Sequence, residues 1–385
     1  MKNIFRLILL LLLGVVTVTA SAATNDDAQP SQVERGDLTE AAEKADGFSA
    51  KDVIFEHLGD GYGWEVPFNH HRRIPLPVIV WATDGLHVFS SSRLEHGHVY
   101  RDGDITFKLG GADSKYKGKV VEVKADGTEV RPWDISITKN VCAIFIGMIL
   151  IIWAILDVAR WHRTQGTKAP RKFRGAVEFV ITFIYDGVIQ PTLKDKAQKF
   201  APYLLTAFFF ILVMNLMGLI VVFPGGANVT GNIAVTLVLA LLTFFITNLF
   251  GTKHYWKEIF NPDVPWWLKY PIPIMPLIEV FGIFTKPAAL TVRLFANMMG
   301  GHMIVIVLTL LIFIFAYMGP AVTGATAVVS VLFSVFMLCI DVLVSFIQAY
   351  VFTMLSTLFI SLAQEDGHHE EAHAKDATPL PAAQK

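Results

Sequence analysis

Two groups of polar residues stand inside long apolar runs of this sequence. The first is Glu279, Lys286, Arg293, Asn297 and His302, within the run from Leu277 to Tyr317. The second is Asp341, Ser345 and Gln348, set in Leu338-Cys339-Ile340-Asp341-Val342-Leu343-Val344-Ser345-Phe346-Ile347-Gln348. An ionisable group in a membrane helix costs roughly 2.5–3.5 kcal/mol on insertion scales, so each such residue is a candidate for function. Glu279, Lys286 and Arg293 recur every seventh residue, which keeps them on one slowly drifting helix face. Glu279 and Lys286 also suit a helix end with snorkelling side chains. Arg293 does not, because apolar sequence continues on both sides of it. Ala296 and Gly300 form a small-xxx-small pair extended by Gly301, where another helix can approach.

The chemistry available to these types is proton transfer beside a fixed charge. Imidazole titrates near neutrality, so His302 with Asp341 forms a proton-relay pair. Arginine keeps its charge at any physiological pH and relays nothing. Asp341, Ser345 and Gln348 sit at i, i+4 and i+7, on one face of a helix. At about 100° per residue, His302 lies about 180° from Arg293 on a straight helix. Arg293 is therefore expected to meet one neighbour, and His302 to turn another side of its helix towards Asp341. The competing reading is a buried ion pair that only sets helix register.

Composition indicates the setting. The chain has 385 residues, 53% hydrophobic and 17% charged, with a mean hydropathy of +0.50. Those values belong to membrane proteins. The net charge of −1 gives no bulk attraction to nucleic acid, so no nucleic-acid partner is expected. Cys142 and Cys339 lie in apolar segments and are expected to be buried and inert; no disulfide framework or zinc spacing is present. A phosphate-binding loop, an HExxH pair and an activated nucleophile are all missing from the sequence. No metal, no cofactor and no standalone hydrolase are expected.

The elements that position these residues follow in chain order. Residues 1–22 have a charged start at Lys2 and Arg6, an apolar run and the small-residue site Ala20-Ser21-Ala22, the pattern of a signal peptide. Residues 23–137 comprise an acidic arm and a β-rich extracytoplasmic module. Val78–Trp81 and Leu86–Phe89 flank Thr83-Asp84-Gly85, and Lys119–Lys124 and Thr128–Val130 flank Asp126-Gly127, so two hairpins are predicted. Asn69-His70-His71-Arg72-Arg73 reads as a surface loop. Residues 138–363 form the membrane domain, with spans near Val141–Val158, Pro202–Val222, Ile233–Gly251, 277–317 and Thr323–Ala363. The last two exceed one perpendicular crossing and must tilt, bend or project. Arg160, Arg163, Lys168, Arg171, Lys172 and Arg174 follow the first span and place that loop in the cytoplasm. Residues 175–200 read as an amphipathic helix on the cytoplasmic surface. Trp266, Trp267 and Tyr270 read as interfacial aromatics, and the prolines at 271, 273 and 276 as a break before the next helix. Residues 364–385, with His368, His369 and His373, form a solvated tail. The fold class is thus an all-α polytopic membrane protein of five transmembrane helices, with the interfacial helix and the small N-terminal β-rich module added. The N-terminus is placed outside and the C-terminus in the cytoplasm.

Several segments resemble one family. Lys286-Pro287 and Arg293-Leu294-Phe295-Ala296-Asn297-Met298 are similar to the signature of subunit a of the F-type ATP synthase. Ser345-Phe346-Ile347-Gln348-Ala349-Tyr350-Val351-Phe352 resembles the matching part of its last helix. Met214-Asn215-Leu216-Met217-Gly218-Leu219 and Asn228-Val229-Thr230 resemble its second and third spans. The resemblance covers about residues 138–363 and leaves out the β module, which looks like a lineage-specific extension. His302 and Asp341 match positions where the family places an acid and a histidine in either order, with aspartate here in place of the more usual glutamate.

The resemblance implies a bacterial inner-membrane stator subunit with two offset half-channels, working with a rotor ring of subunit c, peripheral-stalk subunit b and the other synthase subunits. Arg293 would face each ring carboxylate, with Gln348 beside it. Asn297, His302, Asp341 and Ser345 would line the outer half-channel, and Glu279 would mark the end of the inner one. The subunit itself would be non-catalytic. Two other classes compete with this reading. A secondary transporter would show repeats and broken helices around a midplane site, and neither is evident. A purely structural anchor would have no use for the Arg–Asn–His and Asp–Gln sets.

Overall fold

The computed structural model describes residues 59–66, 69–94, 98–103, 105–111, 114–124, 127–166, 168–220, 226–260, 274–315 and 319–364. The expected signal segment, acidic arm, interfacial aromatics and C-terminal histidine tail lie outside the described residues. The chain divides into two compact units. One draws on residues up to Ile146, Leu216–Val229 and Met298–Leu343; the other on Gly147–Asn215, Thr230–Asn297 and the residues from Val344 onward.

Among the described residues, the first unit begins with nine antiparallel strands: β1 Gly63–Val66, β2 Asn69–Pro75, β3 Pro77–Trp81, β4 Leu86–Ser90, β5 Tyr100–Asp102, β6 Ile105–Leu109, β7 Val120–Val123, β8 Glu129–Val130 and β9 Trp133–Asp134. They form three small sheets, ordered β1-β2, β4-β3-β9 and β5-β6-β7-β8. Both predicted hairpins are present. β3 and β4 pair from Pro77 with Ser90 to Trp81 with Leu86, and β7 and β8 pair Glu122 with Val130. Gly127 adopts φ 75°, a left-handed turn conformation that glycine takes without a Cβ clash. Residues Asn69–Arg73, expected as a surface loop, instead form most of β2. Their polar sequence concealed a ladder with β1, in which Arg73 stands opposite Glu65 and Asn69 opposite Val66 across an irregular register.

Alternation sends Val78, Val80, Phe89, Ile105, Phe107 and Val120 into one core. Glu122 is buried there, and its carboxylate accepts a 2.6 Å hydrogen bond from the Thr83 hydroxyl. The two larger sheets are further joined at His87. Its Nε2 lies 2.7 Å from Asp84 and its Nδ1 2.8 Å from Asp102 on β5. A carboxylate on each ring nitrogen is satisfied fully only by the doubly protonated imidazolium.

Eight helices follow: α1 Lys139–Gln165, α2 Phe173–Ile184, α3 Gln190–Leu193, α4 Ala197–Leu219, α5 Ile233–Leu249, α6 Lys253–Phe260, α7 Ile274–Phe315 and α8 Pro320–Gln364 among the described residues. A π-turn at Tyr185–Ile189 joins α2 to α3, and Lys194, at φ 48°, marks the break before α4. The second unit gathers Ile184, Leu204, Phe208, Ile211, Leu294 and Phe352 into its core. Polar clasps lie at its margin. The Arg174 guanidinium grips Asp157 in two-pronged fashion at 2.6 and 2.8 Å, and Lys196 Nζ donates to the Gln364 carbonyl at 2.6 Å.

Among the described residues, four helical runs are long and apolar enough to cross a membrane, or five if α5 and α6 count as one broken span. The expected five thus depends on that pair, which bends by 101°. Seventeen residues of α5 rise about 25 Å, short of the roughly 30 Å hydrocarbon core. The last two helices are long, as expected, with 42 and 45 residues. Burial of the cysteines is not observed: Cys339 is exposed and Cys142 half-buried. Apolar neighbours do not imply burial in a membrane helix, because lipid is as apolar as leucine.

The His87 clasp carries a pH signature. The hydrogen bond with Asp102, then that with Asp84, raises its pKa above the ordinary 6.5, while desolvation opposes them. A raised folded-state pKa adds stability that is complete below the unfolded value and is lost as pH rises through the folded one. Amide exchange of β4 and β5 in the full-length chain is therefore expected to quicken across that window, after correction for intrinsic rates. His87→Asn should remove the extra dependence; an unchanged profile in that variant would show that the clasp carries no stability.

Candidate functional site

The sequence candidates fall into both units. Glu279, Arg293 and Asn297 on α7, with Ser345 and Gln348 on α8, belong to the second; His302 and Asp341 belong to the first. Each set has its own geometry.

In the second unit, α7 presents two contrasting stripes. Leu290, Thr291 and Leu294 are buried against neighbouring helices. Val292, Arg293 and Ala296 are exposed. Arg293 makes no hydrogen bond or ion pair among the described residues. Asn297 and Glu279 are half-buried. On α8, Ser345 and Gln348 are buried. The Gln348 Nε2 has no hydrogen-bond partner among the described residues. The Asn215 amide nitrogen and the Ser330 and Ser356 hydroxyls are likewise buried without a partner among the described residues. No hydrogen bond joins Gln348 to Arg293 among those residues.

Lys286, one of the heptad cations, has a different setting. Its Nζ lies 5.5 Å from the centroid of the Phe359 ring. It borders a small cleft that also touches Thr247, Asn248, Tyr255 and Pro287. The Tyr255 hydroxyl donates to Asn248 Oδ1 at 3.3 Å, so one wall of this cleft is polar. Asn248 and Tyr255 were not singled out from the sequence, because an isolated amide and a phenol near a helix end have no distinctive spacing.

In the first unit, the Asp341 carboxylate lies directly on the backbone of Gly301, where a Cβ would come within 2.7 Å of Oδ1. The α7 residue next in sequence is His302. Its Nε2 is directed at Gly218 on α4, 3.6 Å from where a Cβ of that glycine would stand. Asn228 Nδ2 donates to the sulfur of Met299, three residues before His302, at 3.8 Å. The Asp341 carboxylate and the His302 side chain thus stand at neighbouring positions of α7, and Gly301 makes the approach of the carboxylate sterically possible. Gly301 was legible as a small residue; its specific partner was not. At Gly300 no atom of the described residues lies within 4 Å of where a Cβ would stand.

This arrangement can exchange protons at His302 and Asp341 and hold a permanent cation at Arg293. The Gly301 contact is testable by infrared spectroscopy. Gly301→Ala is expected to shift the carboxyl band of Asp341, while Gly300→Ala leaves it in place. Identical bands in both variants would show that the carboxylate does not rest on Gly301.

Comparison with known proteins agrees with this architecture. A family model described as ATP synthase A chain matches residues 141–361. A second model, described as a domain of unknown function, matches residues 53–135, the stretch that contains the strands. The ATP synthase subunit a 2 of Chlorobaculum tepidum is 42% identical over 67% of this chain and 73% of its own length. The ATP synthase subunit a of Myxococcus xanthus is 40% identical over 63% of this chain and 78% of its own length. With a family match over more than half its length and relatives this similar, the chain is a multi-pass membrane protein that belongs to the ATP synthase subunit a family.

Proposed function

We propose that this chain is the proton-conducting stator subunit of an F-type ATP synthase. The observation that carries the reading is the exposed face of α7, where Arg293 and Ala296 follow at i and i+3 in a chain of this family. A permanent cation beside a small residue suits the close approach of a second helix bearing a carboxylate. That partner would be the subunit c ring. Subunit b and the other synthase subunits complete the assembly, in a bacterial inner membrane with the β module periplasmic and the tail cytoplasmic. On this reading residues 1–22 are a signal peptide, 23–137 the extracytoplasmic region, 138–363 the membrane domain and 364–385 the cytoplasmic tail. Residues 175–200 lie along the cytoplasmic surface, and the long α7 and α8 run strongly tilted. The chain is not itself an enzyme; it moves ions for the complex.

Protons enter by an outer half-channel past Asn297, His302, Asp341 and Ser345. They leave by an inner one that ends near Glu279. Arg293 favours the ionised form of each passing ring carboxylate, because a nearby cation stabilises the anion. It also denies protons a direct path between the half-channels, and the Gln348 amide stands ready beside it. Each charge that crosses the field releases about 2.3 kcal/mol per 100 mV. That work drives rotation only while the shortcut is closed.

Two measurements test this. Arg293→Ala is expected to abolish ATP-driven acidification of vesicles and to raise passive proton conductance, once assembly with the ring has been checked. Arg293→Lys should rescue little, since lysine lacks the planar five-donor fork and loses its proton readily when buried. Near-normal pumping in Arg293→Ala would reduce this arginine to a structural charge. For the relay, exchanging His302→Asp with Asp341→His should recover more transport than either single change. A double variant no better than the worse single would remove the pairing.

A further inference from the structure

One face of the β module is apolar without serving its core. On the β4-β3-β9 sheet, Val78, Val80 and Phe89 point inward. The opposite face carries Ile79, Trp81, Leu86, Val88, Trp133 and Ile135, and no charged side chain lies among these positions. Register makes it continuous: Trp81 pairs with both Leu86 and Trp133, Ile79 pairs with Val88, and the Ile135 N–H donates to the Ile79 carbonyl at 2.9 Å. Trp81 is 59% and Trp133 80% exposed. An antiparallel sheet with one free face normally makes that face polar, so an uncharged one needs a cover.

The same sheet runs into the first membrane helix. Ile137 N–H donates to the Pro77 carbonyl at 3.2 Å, two residues before α1 begins. The first turn of α1 is held by the module itself. The Lys139 N–H donates to the Gly61 carbonyl at 2.9 Å and the Asn140 N–H to Asp60 Oδ1 at 3.2 Å. These bonds satisfy helix-terminal donors that would otherwise be unmet, and they tether the sheet to the end of a membrane span. Trp133 stands six residues from Lys139, a reach of at most about 20 Å.

We propose that this face lies on the bilayer, with Trp81 and Trp133 at headgroup level. Indole combines an apolar body with a polar N–H and is favoured at that depth. Exposed Arg131, two residues before Trp133, is placed to meet a lipid phosphate. The bilayer is the occupant that the tether already brings within reach, and a face with no charge asks for no complementary protein charge. The module would then brace the entry of α1 into the membrane.

The test uses the full complex reconstituted in phosphatidylcholine–phosphatidylglycerol vesicles. Cys142 and Cys339 are replaced by serine, and a nitrobenzoxadiazole label is placed at Leu86→Cys, Val88→Cys or the exposed control Lys115→Cys. Two face positions guard against one variant failing to fold. The labels at Leu86→Cys and Val88→Cys should lose most of their emission to a doxyl group on the lipid headgroup region and resist aqueous iodide, with the reverse at Lys115→Cys. Quenching of the face labels by iodide would overturn the proposal, since the face would be in water. Protection from both quenchers would overturn it too, by showing that a protein covers the face.

Discussion

The cost of a polar group in hydrocarbon governs this molecule. Backbone groups in lipid must be satisfied internally, and a helix does so within one segment. The membrane part is therefore a set of helices whose hydroxyls follow the same rule. Thr206, Thr243, Thr247, Thr291, Thr353 and Thr357 each turn the side chain back to the carbonyl four residues earlier. That habit satisfies the hydroxyl at little expense to the helix. The few groups that do not comply stand out as a result. Arg293 is exposed on α7, and the buried Gln348 amide is unmet among the described residues.

Close packing depends on that background. Once helices hold their own polar groups, association relies on shape, and glycine decides where backbones and short side chains meet. Gly301 admits the Asp341 carboxylate, and the His302 ring packs beside Gly218 in ordinary contact. An alanine at the first of these would press on the carboxylate from 2.7 Å. Asp341 is thus positioned by what the neighbouring Gly301 lacks. In the second unit the fit is aromatic. Phe208 meets Phe346 edge to face at 5.9 Å, and Phe183 lies 6.0 Å from Tyr350.

The β module obeys a different solvent. Its core is built on alternation, with a buried Glu122 satisfied by Thr83 and an imidazole held between two carboxylates. Such groups are tolerable where water can reach the rim. The same carboxylates in the middle of α7 or α8 would demand a partner or a proton.

The sequence by itself determined the membrane class, the two hairpins and the length of the last two helices, and it singled out the ionisable residues set inside apolar runs. Each of these rests on local information: runs of apolar residues, alternation around Asp-Gly turns, and ionisable types where lipid forbids them. Tertiary structure decided the rest. Asn69–Arg73 became a strand because its partner β1 supplied a ladder that its own polar side chains do not advertise. Cys339 faces outward because hydropathy cannot separate lipid-facing from core-facing positions. The stretch expected to cross at Ile233–Gly251 is helical from Ile233 to Leu249, and α6 then leaves at 101° to it, beside the Thr252 N–H bond to the Ala363 carbonyl at 2.9 Å. The glycine contacts of Asp341 and His302 join positions far apart in the chain, and spacing carries no distance between residues on different helices. Sequence could name those two residues, and only the folded chain could set them against Gly301 and Gly218.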